Sequence, residues 1–215
     1  MRELFTWINI RFILQGLGTT IFISVLCILC SMALGTVIAM GRSSRAKLLR
    51  GVAGIYIEVF KNTPLLLWIM LIFFVVKLPP MGASVLSFSL FTSASLAEII
   101  RGGILAIDKG QWEAGYSQGF GTLQMYRYIL MPQAFRNMVP ALLSQTVTTI
   151  KDTSYLWGAM AVQELMGRGM ILMNQYNSTP QIFAIFGTMA LLYFVVCFAL
   201  STAVRQYQRQ LKQSA

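Results

Sequence analysis

The sequence predicts an all-α membrane protein with five transmembrane helices, and three observations carry that prediction. Of its 215 residues, 56% are hydrophobic and only 11% charged, and its mean hydropathy is +0.66; a soluble domain of this length rarely carries so little charge. The apolar residues gather into runs that reach the ~20 residues a helix needs to cross the hydrocarbon core. The basic residues cluster in the short links between those runs, so the net charge of +10 reads as membrane orientation and not as a nucleic-acid footprint. The length allows a single domain, residues 1–215, with no room for a separate catalytic module.

The first span is expected at about 13–40. It is far longer than the ~7–15-residue apolar region of a signal peptide, and no small-residue cleavage pattern ends it. The second is expected at about 52–76, stopped by Lys77-Leu78-Pro79-Pro80, and the third at about 83–107. A polar segment, about 108–133, follows; the fourth span is expected at about 134–156 and the fifth at about 181–204, after a turn from Asn174 to Pro180. The stretch from Tyr155 to Tyr176 reads as a continuation of helix four plus a short outer helix or re-entrant piece. A sixth span there would put the basic C-terminal tail outside, against the charge rule. With five spans, Arg42, Arg45, Lys47, Arg50, Arg101, Lys109, Arg127, Arg136, Arg205, Arg209 and Lys212 share one side, and the other holds Arg2, Arg11, Lys77 and Arg168. The N-terminus is therefore expected outside and the C-terminus in the cytoplasm.

Cys27 and Cys30 have a C-x-x-C spacing but lie within the first apolar run, as Cys197 does within the last, and the chain has no histidine. They read as small apolar side chains, and no metal site is expected.

The polar segment carries local signals of two short helices hinged at glycine. Asp108 or Gly110 is suited to start one, with Glu113 in a first turn where the helix dipole favours an acid. Gly119 and Gly121 bracket a break. Thr122 is suited to cap a second helix over about 123–130, and Pro132 fits the first turn of helix four. Tyr116, Phe120, Tyr126 and Tyr128 add aromatic area with little charge, which suits docking into a protein pocket.

Here the chain resembles a known family. Glu113-Ala114-Gly115, then Gly119, Ile129 and Pro132, follow the "EAA loop" of the membrane subunits of ABC importers: E-A-A, three residues, G, nine residues, I-x-L-P. Gly115 stands for the second alanine and Met131 for the leucine. The flanks resemble the polar amino-acid subfamily: Phe60-Lys61-Asn62-Thr63-Pro64-Leu65-Leu66, Ala97-Glu98-Ile99-Ile100-Arg101-Gly102-Gly103, Gly110-Gln111, Pro132-Gln133-Ala134-Phe135-Arg136 and Lys151-Asp152-Thr153-Ser154. The matches run in order from about residue 16 to 204.

The resemblance implies a type I importer permease (MetI-like) in a bacterial inner membrane. Two permease subunits, identical or related, would form the channel above two cytoplasmic ABC ATPases, with a solute-binding protein docking outside. ATP and magnesium would sit on the ATPase and no cofactor on this chain. The EAA helix would lie in a cleft of the ATPase, so that closure of the ATP-bound dimer pulls the membrane halves from inward- to outward-facing. Glu113, Ala114, Gly115, Gly119, Ile129 and Pro132 are then the coupling residues. An ordinary re-entry turn with a capped amphipathic helix is the simpler alternative.

Ionisable groups at membrane depth are functional candidates by default. Lys151 and Asp152 stand roughly 20 Å into helix four at 1.5 Å per residue, followed by Thr153, Ser154 and Tyr155. They read either as substrate path, with Lys151 attracting a carboxylate and Asp152 an amino group, or as charges neutralised within the protein. Lys61, Asn62, Thr63 and Pro64 surround a helix opening at proline. Asn62 and Thr63 are either substrate ligands or a kink sealed by polar hydrogen bonds. Glu98 and Arg101, three apart, are suited to pair on one helix face in a structural or gating role, with Glu58 able to join.

A membrane enzyme finds no support, since no H-E-x-x-H and no serine elbow occur. A stand-alone secondary amino-acid transporter or channel is the alternative, weakened by the lack of an internal repeat. The chain has no phosphate-binding loop, so energy must come from a partner. Subfamily resemblance and positive charge at depth favour glutamine or glutamate as the substrate.

Overall fold

A computed structural model describes residues 3–213; Arg2 and the side chain of Lys212, both counted in the charge asymmetry, lie outside the described residues. Ten α-helices occur among them: α1 (Trp7–Arg42), α2 (Lys47–Lys61), α3 (Leu65–Leu71), α4 (Pro80–Leu105), α5 (Lys109–Ser117), α6 (Thr122–Gln124), α7 (Met131–Asp152), α8 (Tyr155–Met160), α9 (Leu165–Gln175) and α10 (Thr179–Gln213). Wider π-helical turns extend α3 over Ile72–Val76 and join α6 to α7 over Met125–Leu130.

Three helices, α1, α4 and α10, are each long and apolar enough to cross a membrane. A fourth crossing is possible if α2 and the Leu65–Val76 helix count as one, but the two are bent by 103°. The segment expected as the second span, 52–76, thus opens at Pro64 as expected, but by a right-angled bend between two helices. Asn62 ends α2, and Pro64, at φ −66° and ψ 136°, starts α3. The bend is held by packing that no local pattern announces: Phe60 stacks on Trp68 at 4.2 Å, and the Tyr56 hydroxyl donates to Leu90 O at 2.8 Å.

Two helices, α1 and α10, overrun their apolar cores. α1 has 36 residues and α10 has 35, because their polar ends remain helical in the absence of a breaker. α7, of 22 residues, stops at Asp152, not near 156; a tight turn at Thr153-Ser154 leads into α8. The ambiguous stretch holds α8, Ala161 in a left-handed conformation (φ 54°) and α9, whose 11 residues are too few for a full span.

The core forms three clusters strung along α1. Ile38 and Ala39 pack with Ile57, Ile100, Met125 and Ala134. Ile23 and Cys27 pack with Ile69, Phe88, Leu156 and Met160. Ile13 packs with Leu165, Leu172, Ile185 and Met189. α4 lies against α1 through small buried residues, among them Ser84, Ser87, Ala94 and Ala97, and Ser31 donates to Ser89 O at 3.4 Å. Small residues let helices approach closely where lipid offers no hydrophobic drive. Large apolar side chains such as Phe22, Leu29, Leu191 and Phe194 point outward. A surface this apolar belongs against lipid or another subunit.

Candidate functional site

The polar segment folds as a helical hairpin. Asp108 caps α5, its side chain accepting from Gly110 N at 2.6 Å. Glu113 consequently falls in the second turn, not the first, so the dipole argument does not apply to it. α5 ends in a Schellman motif: Phe120 N donates to Gly115 O at 3.1 Å and Gly119 N to Tyr116 O at 3.0 Å. Gly119 sits there at φ +80°, where a side chain is strained.

Gly121, not Thr122, caps the next helix, its N–H donating to Gln124 Oε1 at 2.9 Å. That helix is not a separate element over 123–130. Its backbone stays helical through Met125–Leu130 and into α7, with Pro132 in the first turn. The hairpin closes on Trp112 edge-on to Tyr126 at 5.4 Å and on Gln133, which donates to Gln111 Oε1 at 3.2 Å.

Gly115 is buried, and the Met125 thioether occupies the space where a Cβ would stand, with Ile129 Cδ1 at 3.2 Å. The departure from the second alanine therefore has a packing reason. Glu113, Ala114 and Pro132 are exposed, Ile129 half-buried. Tyr116, Leu123 and Tyr128 are exposed beside them, and the Glu113 carboxylate has no partner among the described residues. The hairpin brings together the six residues expected to couple and leaves Glu113, Tyr116 and Tyr128 exposed.

The residues expected at membrane depth fall in two groups, one at the α2–α3 bend and one at the end of α7. At the bend, Thr63 donates to Val59 O at 2.6 Å and accepts from Trp68 Nε1 at 2.7 Å. Asn62 donates to Glu58 O and Glu58 Oε2, both at 2.8 Å. These bonds seal the bend, while Lys61, Asn62 and Pro64 remain exposed. Glu58 is thereby engaged with Asn62 and does not join Glu98 and Arg101. Those two pair on their own, Arg101 Nη2 to Glu98 Oε2 at 2.7 Å.

In the second group, Lys151 and Ser154 line a cavity of about 300 Å³ with Phe186, Met189 and Tyr193. Ser154 and Tyr155 line another, of about 320 Å³, with Leu66 and Met70 of α3. Thr153 is buried and donates to Ile150 O at 2.7 Å. Lys151 and Asp152 form no ion pair with each other; Glu98–Arg101 is the one found among the described residues.

A family model for the "binding-protein-dependent transport system inner membrane component" matches residues 31–213. The chain belongs to that family. It is 35% identical over 93% of its length, and 94% of the relative's, to the Bacillus subtilis (strain 168) protein named Probable glutamine ABC transporter permease protein GlnP. It is 30% identical to the glutamine transport system permease protein GlnP of Escherichia coli (strain K12), over 96% of this chain and 95% of that one. A crystal structure of an amino acid ABC transporter with histidines contains a chain that superposes with a TM-score of 0.86 at 29% identity, covering 93% of this chain and 94% of that one. The MetNI methionine ABC transporter in an inward-facing conformation shares the fold at a TM-score of 0.66 and 20% identity, over 94% of this chain and 96% of the other. This family member is therefore an ABC transporter permease, the membrane component of a system whose other parts are an ABC ATPase and a substrate-binding protein.

Within this permease, one site escaped the sequence reading. Glu164 is fully buried. Its carboxylate accepts from Thr20 Oγ1 at 3.2 Å, Tyr193 OH at 2.8 Å, Met166 N at 2.9 Å and Gly167 N at 2.8 Å. Thr20 Oγ1 in turn accepts from Leu165 N at 3.1 Å. Four donors offset the desolvation that an isolated carboxylate would suffer, and they tie α1, α9 and α10 at one point. Beside it Arg168 lies over the Phe12 ring at 4.6 Å and donates to Phe12 O at 2.9 Å. An acid between two apolar stretches is the same signal that marked Asp152; it went unused because its short stretch had no assigned depth.

Proposed function

We propose that the permease is one half of the channel of an ATP-driven importer for a polar amino acid of the glutamine or glutamate kind. It crosses the membrane five times, by α1, the bent α2–α3 pair, α4, α7 and α10, with its N-terminus outside and its C-terminus in the cytoplasm. The side of the basic links supports that orientation. The α5–π hairpin docks in a cleft of the ATPase through Glu113 and the exposed aromatics, and nucleotide-driven closure there switches the channel between inward- and outward-facing states. Lys151, Asp152, Ser154 and Tyr155 line the substrate path; Lys61 to Pro64 flank it at the bend, and Glu98–Arg101 braces the end of α4. A second permease subunit, identical or related, covers the outward apolar faces that lipid does not.

The observation that carries this reading is the hairpin: a capped structure whose acid has no partner among the described residues and whose Tyr116, Leu123 and Tyr128 are exposed beside it. The names of the relatives support an amino acid as cargo. A pull-down of the tagged permease from its native membrane in mild detergent, with mass spectrometry of what accompanies it, tests the reading. An ABC ATPase is expected with the parent chain and lost with Glu113→Lys or Gly119→Asp while the protein still inserts. An inserted parent chain that never retains an ATPase would sink the reading.

A further inference from the structure

Lys151 stands between two cavities on the seam of α7 and α10. On one side lies the cavity it shares with Ser154 and Tyr193, whose walls are otherwise apolar. On the other lies a cavity of about 330 Å³ lined by Ser144, Thr148, Ser201, Arg205 and Gln208 as well as Lys151. Both volumes fall in the range of small-molecule sites, roughly 300–1,000 Å³. Arg205 stands twelve residues past Tyr193 on α10, an axial rise of about 18 Å toward the basic end of the helix.

The second cavity is built for an anion. Two cations and three hydroxyls converge on it, and no acid lines it. Among the described residues, neither Lys151 nor Arg205 is in an ion pair. Arg205 lies over the Phe198 ring at 5.5 Å and gives one N–H to Thr202 Oγ1 at 2.9 Å. This fixes the guanidinium and leaves further donors of its fork for a planar, two-oxygen group. A carboxylate held at Lys151 leaves it at a cost, since a charge in low dielectric must lose one charged partner before gaining another. A second cation farther along the same seam lowers that cost.

We propose that the Arg205 cavity is a second binding site for the substrate's α-carboxylate, an exit station that receives it from Lys151 before release. The proposal rests on the amino-acid import reading above. Lys151 governs capture and Arg205 governs departure, with Ser201 as a neutral donor beside the bound oxygens; Ser144 and Thr148, whose hydroxyls donate to Pro140 O at 2.9 Å and Ser144 O at 3.3 Å, turn toward the anion when it binds.

The assembled transporter, reconstituted with its ATPase and binding protein, tests this through saturation curves for tritiated L-glutamine and L-glutamate. Arg205→Gln is expected to lower maximal uptake about tenfold, the loss of roughly one charge-assisted hydrogen bond, with half-saturation within about twofold of the parent. Arg205→Lys keeps the charge but loses the fork and the stacking on Phe198, and should recover part of the rate, on the order of a third. Lys151→Gln should instead raise the half-saturating concentration. If Arg205→Gln does not assemble, Thr148→Val combined with Ser201→Ala must lower the maximal rate in its place. Full-rate uptake by Arg205→Gln, or by that pair when it stands in, overturns the exit station, as does an Arg205→Lys rate no higher than that of Arg205→Gln, since a carboxylate site must answer in part to charge alone. Each is repeated in neutral phosphatidylcholine vesicles and in vesicles with phosphatidylglycerol. A defect confined to the anionic vesicles assigns the cavity to a lipid phosphate and also overturns the proposal. A parent transporter that moves neither amino acid sinks the import reading itself and this site with it.

Discussion

Glu113 and Glu164 both belong to short helices at reversals of the chain, and their surroundings are opposite. Glu164 is enclosed, with four donors from three parts of the fold on its carboxylate. Glu113 is exposed, on a hairpin whose own contacts are made by Trp112, Gly115, Met125 and Gln133. A buried acid with all its partners inside the chain works for the fold. An exposed acid on a well-capped support is open to a partner outside the chain, as the coupling proposal requires.

Four substitutions sharpen or break that contrast, all read by thermal unfolding of the purified permease in detergent. Glu164→Ala strands two backbone N–H groups and two hydroxyls and should cost about 4 kcal/mol; a loss under about 1 kcal/mol would remove Glu164 from the structural role. Gly115→Ala pushes a methyl into the Met125 thioether and should cost about 2 kcal/mol through overpacking, most of it recovered when Met125 is also made smaller. Gly119→Ala forces an L side chain into a left-handed conformation and should cost about 1 kcal/mol. Glu113→Ala should change stability by no more than about 0.5 kcal/mol while ATPase retention falls in the pull-down. A large stability loss at Glu113 would erase the distinction between the two acids.

The same contrast explains how much was legible in the sequence. The hairpin could be read because its determinants are local: Asp108 caps, Gly119 turns, and Pro132 starts the return, each within a few residues of what it controls. The departures there are equally local: Gly121, not Thr122, caps the second helix, and Glu113 lies one turn deeper. The bend between α2 and α3 was legible as a break at Pro64 but not as a right-angled one, because Phe60 on Trp68 and Tyr56 on Leu90 set the angle across the fold. Glu164 was not legible at all as a junction. Its partner Thr20 lies 144 residues away and Tyr193 lies 29 away, and no spacing rule links them. Helix lengths were underestimated wherever polar ends such as Arg42 and Arg205 stayed helical, since hydropathy measures the bilayer and not the helix.

The helical backbone that starts at Thr122 runs without a break to Asp152. One continuous helical rod, about 46 Å long at 1.5 Å per residue, therefore carries the hairpin's returning arm at one end and Lys151 at the other. A rod of that length pivoting near its middle by about 5° swings each tip by about 2 Å. A small tilt imposed at the hairpin by the proposed ATPase would thus become a lateral shift of Lys151 by most of a hydrogen-bond length, less whatever flexing Pro140 inside α7 absorbs.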